Sequence, residues 1–445
     1  MRACLKTLLL LFCPLCLLAQ QLTFAPAFRN YSTEQGLPNN WVFGILQDRA
    51  GYIWVSTHHG VCRFNGYEFE QFPDTLSTNY TSVLSKAMAE DGHGRLWYVD
   101  FPGRVFCVEN GVIHPYRYND VIAAQKPAFD IMHALITNEA GNEFWLFATN
   151  YGVLHIWGEG KWERIQPPAS CFTQIFEQSE KWQHNNFATG RGFFPRYPPS
   201  IAFQNGTRSV IVDNLPWPAK EWVKGWNGYI FSHRLRDGSW LLFLNSFLYC
   251  LDKDYRLLWM YPYGNRPNSV LEDHTGSILL GLLDNKGLEK YHSLDDLQAN
   301  KLEASYLPGL TVSALLQDRE GGYWIGTQEE GVFYCPAWDA GMLVNSPLLE
   351  RENVRSVVTD GGNRLFAGLA NSKIFEITVN DGHIGDITPP YLDRITRLSF
   401  DNESGVLSVA GAPPNFFQSE KWVGPVFFDP WHGTSIKSYG GGYWC

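Results

Sequence analysis

The sequence predicts an all-β protein, a β-propeller, and three observations predict it. A unit of roughly forty residues recurs along the chain, at the period that marks propellers and other repeat architectures. Aromatics make up 15% of the 445 residues, with 17 Trp, 21 Tyr and 29 Phe, and Gly reaches 41. Charged residues are only 18%, whereas helical bundles draw on Ala, Glu, Lys and Leu. The chain is built from strand and turn formers, and its aromatic content excludes disorder over most of the length. Net charge is −10 with no extended basic run. A nucleic-acid partner would need a basic footprint, so none is expected.

The elements follow in chain order. Met1 to Ala19 reads as a secretory signal peptide: Arg2 and Lys6 give a positive start, Leu8 to Leu18 an apolar core, and Ala19 a small residue suited to cleavage. The core is shorter than the ~20 residues of a stable membrane span, and no later apolar run is longer. Export to the periplasm or the exterior is the expectation. Cys4, Cys13 and Cys16 would leave with the signal. Cys62, Cys107, Cys171, Cys250, Cys335 and Cys445 fit no zinc spacing and read as small core residues.

The clearest unit is Asp48-Arg49-Ala50-Gly51-Tyr52-Ile53-Trp54-Val55-Ser56-Thr57, which returns as Asp318-Arg319-Glu320-Gly321-Gly322-Tyr323-Trp324-Ile325-Gly326-Thr327. Leu46-Gln47 and Leu316-Gln317 precede the two copies. Weaker copies keep an acid six positions before a large apolar residue: Asp91 to Trp97, Glu139 to Trp145, Asp273 to Leu279, Asp360 to Phe366 and Asp401 to Leu407. Phe187 to Phe193 preserves the second half of the pattern, and Asp237 to Trp240 has a shortened turn. An Asp-x-x-Gly turn reverses the chain between two strands, and the Trp has a flat face to bury between sheets. Asp48, Trp54, Asp91, Trp97, Trp145, Trp240, Asp318 and Trp324 are thus the expected structural residues of the repeat. Four strands in ~40 to 48 residues is one propeller blade. The expected layout is signal peptide 1–19, a first propeller of roughly seven blades over 20–340, and the first two to three blades of a second over 341–445.

Tyr31 to Asn40, running on through Asp48, Trp54, Thr57 and Gly60 to Phe64, resembles the two-component-regulator propeller repeat, and Pro308 to Tyr334 resembles it nearly as well. The resemblance implies the periplasmic sensor region of hybrid histidine kinases and related regulators of Bacteroidetes-type bacteria. In that family two seven-bladed rings precede a Tyr-rich immunoglobulin-like domain, a membrane helix and a kinase core. None of these later parts is in this sequence, and Cys445 falls inside a strand, so the chain reads as a fragment of a longer sensor. The implied job is to bind a small molecule such as an oligosaccharide, with a homodimer as one form the parent sensor could take, and to relay it to a kinase not present here. A secreted binding or scaffolding propeller, and a propeller hydrolase or lyase, are the alternatives.

The sequence holds no catalytic motif, and no cofactor or metal is expected. His58-His59 is the one adjacent His pair and lies in a turn. A repeated Asp suits a turn cap better than a catalytic acid, and no Gly-x-Ser-x-Gly elbow or phosphate loop is present. The expected ligand face comprises the connections into each inner strand and those between second and third strands. Trp41, His58, His59, Tyr80, Asn150, Tyr151, Arg191, Gln328 and Glu329 are its candidate contacts, with Asn40, Asp100, Phe101, Asn245, Asp284 and Asn285 beside them. Aromatics mixed with amides and acids suit sugars.

Overall fold

The computed structural model describes residues 23–72, 88–100, 103–125, 132–148, 152–165, 171–176, 187–190, 200–205, 208–213, 215–216, 230–244, 247–338, 341–344, 353–379, 383–389, 392, 394–412, 415–418, 421–423, 437–439 and 442–444. The expected signal peptide lies outside the described residues. Among those residues no helix is long and apolar enough to cross a membrane. The chain divides into two compact units, one of Phe28–Ala337 and one of Met1–Ala27 with Trp338–Cys445.

The described residues of the first unit form seven four-stranded sheets. Sheet 1 comprises Val42–Gln47, Ile53–Thr57, Gly60–Phe64 and Phe69–Gln71. Sheet 2 comprises Met88–Glu90, Leu96–Val99, Val105–Glu109 and Val112–Pro115. Sheet 3 comprises Met132–Thr137, Glu143–Ala148, Gly152–Trp157 and Lys161–Ile165. Sheet 4 draws on Cys171–Phe176, Phe187–Gly190, Ser200–Asn205 and Arg208–Val212. Sheet 5 comprises Ile230–Arg234, Trp240–Leu244, Phe247–Leu251 and Leu257–Pro262. Sheet 6 comprises Pro267–Glu272, Ile278–Leu282, Leu288–Tyr291 and Ala304–Tyr306. Sheet 7 comprises Thr311–Gln317, Tyr323–Gln328 and Val332–Cys335, with Arg29–Tyr31 as its outer strand.

First strands of successive sheets lie side by side, from sheet 1 through sheets 2 and 3, and from sheet 5 through sheets 6 and 7 back to sheet 1. Sheet 4 joins this circuit through Phe187–Gly190, which contacts sheets 3 and 5. This is a β-propeller. Arg29–Tyr31 comes from ahead of sheet 1 and pairs with Val332–Tyr334, so the last sheet is knitted from both ends of the unit.

Each regular sheet buries one face against the next. Trp324 packs with Val42, Ile45 and Tyr31; Trp54 with Met88 and Leu96; Trp97 with Leu135 and Phe144. An indole removes roughly 150–250 Å² from water, worth on the order of 4–6 kcal/mol. The spacing of six between Asp and Trp has a direct cause. In sheets 1, 2 and 7 the carboxylate Oδ1 accepts the backbone N–H four residues on, while Oδ2 accepts the indole Nε1–H six residues on. The indole bonds are 2.7 Å for Asp48–Trp54 and 2.8 Å for both Asp91–Trp97 and Asp318–Trp324. One residue therefore closes the turn and aims the ring. The Gly of the turn sits at positive φ (96° at Gly51, 92° at Gly321), where a side chain would be strained. In sheet 6, where Leu279 replaces Trp, Tyr323 of sheet 7 donates its phenol O–H to Asp273 Oδ2 at 2.9 Å.

A second set of bonds ties sheets 1, 5, 6 and 7 each to the following sheet at this rim. The N–H after the first residue of the turn is donated to the side chain that ends the next sheet's first strand. Arg49 donates to Glu90 (2.9 Å), Arg236 to Glu272 (2.7 Å), His274 to Gln317 (2.8 Å) and Arg319 to Gln47 (2.9 Å). The last of these joins sheet 7 to sheet 1. There the Arg319 guanidinium also bonds the carbonyls of Asp48 and Arg49.

Three sequence expectations need correction. In sheet 3 the turn is capped by Asn138, whose Oδ1 accepts Asn142 N–H, and not by Glu139. The loop is one residue longer there, and Glu139 instead forms an ion pair with Arg49. In sheet 5 Leu235 takes the capping place, so Trp240 pairs with Arg234 as Ile53 pairs with Gln47. Trp240 thus faces Ile201 and Phe203 of the preceding sheet, not the following one, because a shift of one residue turns a strand side chain to the other face. In sheet 4 Phe187–Gly190 stands first in strand order and Cys171–Phe176 second, the latter parallel to Ser200–Asn205. That stretch is therefore not the second strand of a regular unit.

The second unit holds two four-stranded sheets among its described residues. Sheet 8 comprises Val354–Thr359, Arg364–Leu369, Ile374–Thr378 and Ile384–Asp386; sheet 9 comprises Arg394–Asp401, Val406–Ala412, Asn415–Gln418 and Lys421–Val423. Thr23–Pro26 pairs antiparallel with Gly341–Val344 in the same unit. Phe366, Ile374, Ile395, Leu398 and Leu407 pack between sheets 8 and 9. In the first unit Cys62, Cys107, Cys250 and Cys335 are buried. Burial pushes the Cys107 thiol up to about 11 and the Cys250 thiol up to about 12, so neither is a thiolate at neutral pH.

Candidate functional site

The end of each sheet opposite the Asp turns carries the expected ligand face. Register defines which residues are equivalent. Val42 pairs with Thr57, Pro267 with Leu282 and Val312 with Thr327. The next residues outward are then Trp41, His58 and His59 in sheet 1. They are Arg266, Leu283 and Asp284 in sheet 6, and Thr311, Gln328 and Glu329 in sheet 7. The backbone holds them alike, since His58 N–H donates to Trp41 O (3.0 Å) and Leu283 N–H to Arg266 O (2.9 Å).

Trp41 is 40% exposed, yet its loop is pinned on several sides. Trp41 N–H is donated to Asn39 Oδ1 and Thr33 N–H to Asn40 Oδ1, each at 2.8 Å, and Gly331 N–H reaches Asn40 O at 2.9 Å. The indole meets His58 edge-to-face at 6.1 Å, and His58 lies 5.6 Å from His59. A large apolar ring held rigidly in water is a platform for stacking, with little left to lose in conformational entropy on binding.

The neighbouring positions carry charge. Arg266 grips Asp284 through Nε at 2.9 Å and through Nη2 on both oxygens. Asp284 and Asn285 both sit at φ 58°, and Asn285 is fixed by Thr311, whose hydroxyl donates to Asn285 Oδ1 at 2.9 Å. Glu329 also has positive φ, 85°. In sheet 2 the Asp100 carboxylate is fully buried and accepts both the N–H and the Nε–H of Arg104, at 2.6 and 2.7 Å. Burial outweighs those bonds and pushes its carboxyl above the usual range. Asp100 is therefore a turn cap under Arg104 and not an open ligand contact.

Of the candidate contacts, the structure brings Trp41, His58 and His59 together and ties Asn40 to the turn that follows Gln328 and Glu329. Tyr80, Phe101, Asn150, Tyr151, Arg191 and Asn245 lie outside the described residues. Sequence reasoning missed Arg266 and Arg104. Both sit next to residues it did name, and the signal that finds them is position: Arg266 immediately precedes an inner strand, and Arg104 stands four residues after an Asp, as Arg95 does after Asp91. Among the described residues, no group of three or more His, Cys, Asp or Glu is placed to hold a metal ion.

Comparison with known proteins adds the following. No curated protein matches the sequence. The chain is similar to the extracellular domain of a protein described as a hybrid two component system from B. thetaiotaomicron, at 14% identity and a TM-score of 0.45, covering 89% of this chain and 53% of that one. A second such domain from B. thetaiotaomicron gives 16% and 0.43, with 92% and 55% covered. The chain thus spans about half the length of these structures. Catalytically inactive virginiamycin B lyase from Staphylococcus aureus gives 11% identity and a TM-score of 0.50, over 69% of this chain and 98% of that one, a likeness of fold alone. A family described as two component regulator propeller matches residues 36–59 and 306–329. Both matched segments run through the loop before an inner strand, the inner strand and the Asp turn to the candidate face at His59 and Glu329. Gly36–His59 and Tyr306–Glu329 are two component regulator propeller repeats.

Proposed function

We propose that this chain is the ligand-sensing propeller of a two-component regulator, exported from the cytoplasm, and that it binds a small molecule on the face carrying Trp41, His58, His59, Gln328 and Glu329. One observation carries the reading. At the Asp-turn rim, sheets 1, 2, 6 and 7 repeat the same capping chemistry. At the opposite rim they differ: Trp, His and His in sheet 1; Arg, Leu and Asp in sheet 6; Thr, Gln and Glu in sheet 7. Trp41 and His59 are exposed and, with His58, lie outside the strand pairing, so the sheet does not demand their identity and they are available to a ligand. The exposed, pinned indole beside amides and acids suits a sugar ring, and an oligosaccharide is the proposed ligand class. Binding would favour one arrangement of a dimeric parent and so reach a kinase carried outside this sequence. In the same proposal the seven sheets form one closed ring, and sheets 8 and 9 begin a second.

The test is a thermal-shift and calorimetric screen of the purified chain against a panel of neutral oligosaccharides, repeated on Trp41→Ala and on Tyr67→Ala as an exposed aromatic control. The expected result is a saturable hit whose affinity falls about tenfold in Trp41→Ala, the worth of one stacking contact, and is unchanged in Tyr67→Ala. A hit that ignores Trp41→Ala would move the site off this face. Silence across the panel would overturn the sugar assignment.

A further inference from the structure

The third strand of a regular sheet lies beside its outer strand, and in sheets 1 and 6 a base on the third strand, at the register of the repeat's large apolar residue, meets an acid on or just before the outer strand. In sheet 1 Arg63, opposite Trp54, forms an ion pair with Glu70 at 2.6 Å; in sheet 6 Lys290, opposite Leu279, forms one with Glu303 at 2.6 Å. Sheet 3 has the same arrangement with a different base. His155 stands opposite Trp145 and Glu163, at the register of Arg63 and Lys290. Its Nδ1 lies 2.8 Å from Glu163 Oε1 and its Nε2 lies 2.8 Å from Glu143 Oε1. The ring is stacked on Trp145 (4.7 Å, 5°) and on Trp157 (4.5 Å, 28°).

A neutral imidazole has one N–H and one lone pair, whereas the imidazolium has two N–H donors. Only the charged ring can donate to both carboxylates, and two indole faces favour a cation between them. We propose that His155 is a pH-gated latch: protonated, it holds the outer strand Lys161–Ile165 onto sheet 3, doing conditionally what Arg63 and Lys290 do permanently in sheets 1 and 6. When the ring loses its proton it keeps one N–H, and Glu163, more exposed than Glu143 (55% against 33%), is the carboxylate that water can satisfy, so its bond is the one lost. The latch is closed on the acid side and loosens as pH rises.

Among the described residues, the other charged groups nearby leave this assignment to His155. Lys161 shares the strand and face of Glu163, and Glu159 lies in the turn before that strand. Arg164 belongs to the opposite face by alternation, as does the helix Asn119–Gln125 with Asp120, since Ile122 packs with Phe144, Leu154 and Ile156. Phe187–Gly190, the strand that contacts the second and third strands of sheet 3, contains no titratable residue.

The test is amide hydrogen exchange on the full chain between about pH 5.5 and pH 8, corrected for intrinsic rates. The outer strand of sheet 3 is compared with Phe69–Gln71, the outer strand that Arg63 holds. Protection of Lys161–Ile165 is expected to fall about tenfold toward pH 8, the size of one lost charge-assisted hydrogen bond, while Phe69–Gln71 stays level. His155→Arg is expected to keep the protection and abolish its pH dependence. Glu163→Gln should lower protection at pH 5.5 toward its pH 8 value. Equal pH dependence of the two strands in the wild-type chain overturns the proposal, as does an unchanged slope in His155→Arg. If that variant fails to fold, the wild-type comparison and Glu163→Gln decide the matter.

Discussion

Sheets 1 and 8 begin with strands of the same design and meet opposite fates. Both carry a bulge after the first residue, between Val42 and Gly44 in one and between Val354 and Ser356 in the other, and both run into an Asp turn. Val42 and Ile45 are 0% and 8% exposed, whereas Val354 and Val357 at the same register are 50% and 53% exposed. The difference is supplied from outside the strand. Trp324 and Leu316 of sheet 7 cover Val42 and Ile45, and no described residue buries Val354 or Val357. An apolar inner strand is thus an offer of an interface, and a neighbouring sheet has to take it up.

The turn chemistry of the two units makes a related contrast. Asp318 holds an indole, while Asp360, with Phe366 six residues on, gives Oδ2 to the Nε–H of Arg364 at 2.9 Å. Sheet 8 satisfies its turn acid within the turn itself. Sheets 1 and 7 satisfy theirs with the ring that builds the next interface, and sheet 2 uses both that ring and Arg95 within the turn, so turn and core are coupled in all three.

The sharpest way to break the comparison is Val42→Asp against Val354→Asp. A buried, unpartnered carboxylate at Val42 is expected to cost at least ~4 kcal/mol and to unfold the first unit, whereas Val354→Asp should stay within ~0.5 kcal/mol of wild type. Denaturant unfolding followed by Trp fluorescence measures both, and equal effects would mean that Val354 is covered in solution. Next in size is Trp324→Phe, which keeps most of the ring but orphans Asp318 Oδ2. A loss of about 2–3 kcal/mol is expected; a loss under ~1 kcal/mol would show that the indole bond matters little and that sheet 8's Phe is an equal solution.

The smallest effect belongs to Tyr323→Phe. Burial works to raise the Asp273 carboxyl, but Thr275, Tyr323 and Ser277 together hold it below its usual range. A carboxyl lowered in the folded state contributes stability that is present above the unfolded value near pH 4 and is lost as pH falls through the folded one. Tyr323→Phe should therefore cost about 1–2 kcal/mol at pH 7, and the gap to wild type should narrow below about pH 4. A pH-independent gap would assign the effect to packing and not to the carboxylate.

Much of this was legible in the residues. The Asp48-to-Trp54 and Asp318-to-Trp324 copies announced the turn, the strand pair and the propeller, and the placement of His58 and His59 in a turn needed only the strand alternation around them. Other features left a trace without a meaning: Leu46-Gln47 and Leu316-Gln317 were visible as repeats, but the donors that Gln47 and Gln317 accept come from other sheets. The irregular units were misread for local reasons. A capping residue can be Asn138 or even Leu235 provided its backbone closes the turn, so counting back from Trp145 or forward from Asp237 found the wrong partner. Trp240 then fell on the other face.

What the sequence determined by itself is everything of short range: alternation, turn acids with Gly at positive φ, and the repeat period. The tertiary structure alone decided the contacts between residues far apart in the chain. Arg319 meets Gln47 across 272 residues, and the Ser313 hydroxyl meets Val42 O across 271. It also decided that Tyr323 stands in for a missing indole, that Thr23–Pro26 pairs with Gly341–Val344, and that His155 lies between two carboxylates and two indoles. The physical reason is range. A turn is settled by atoms a few bonds apart, whereas burial and pairing between sheets depend on which surface the folded chain brings alongside, and many strands carry the same pattern.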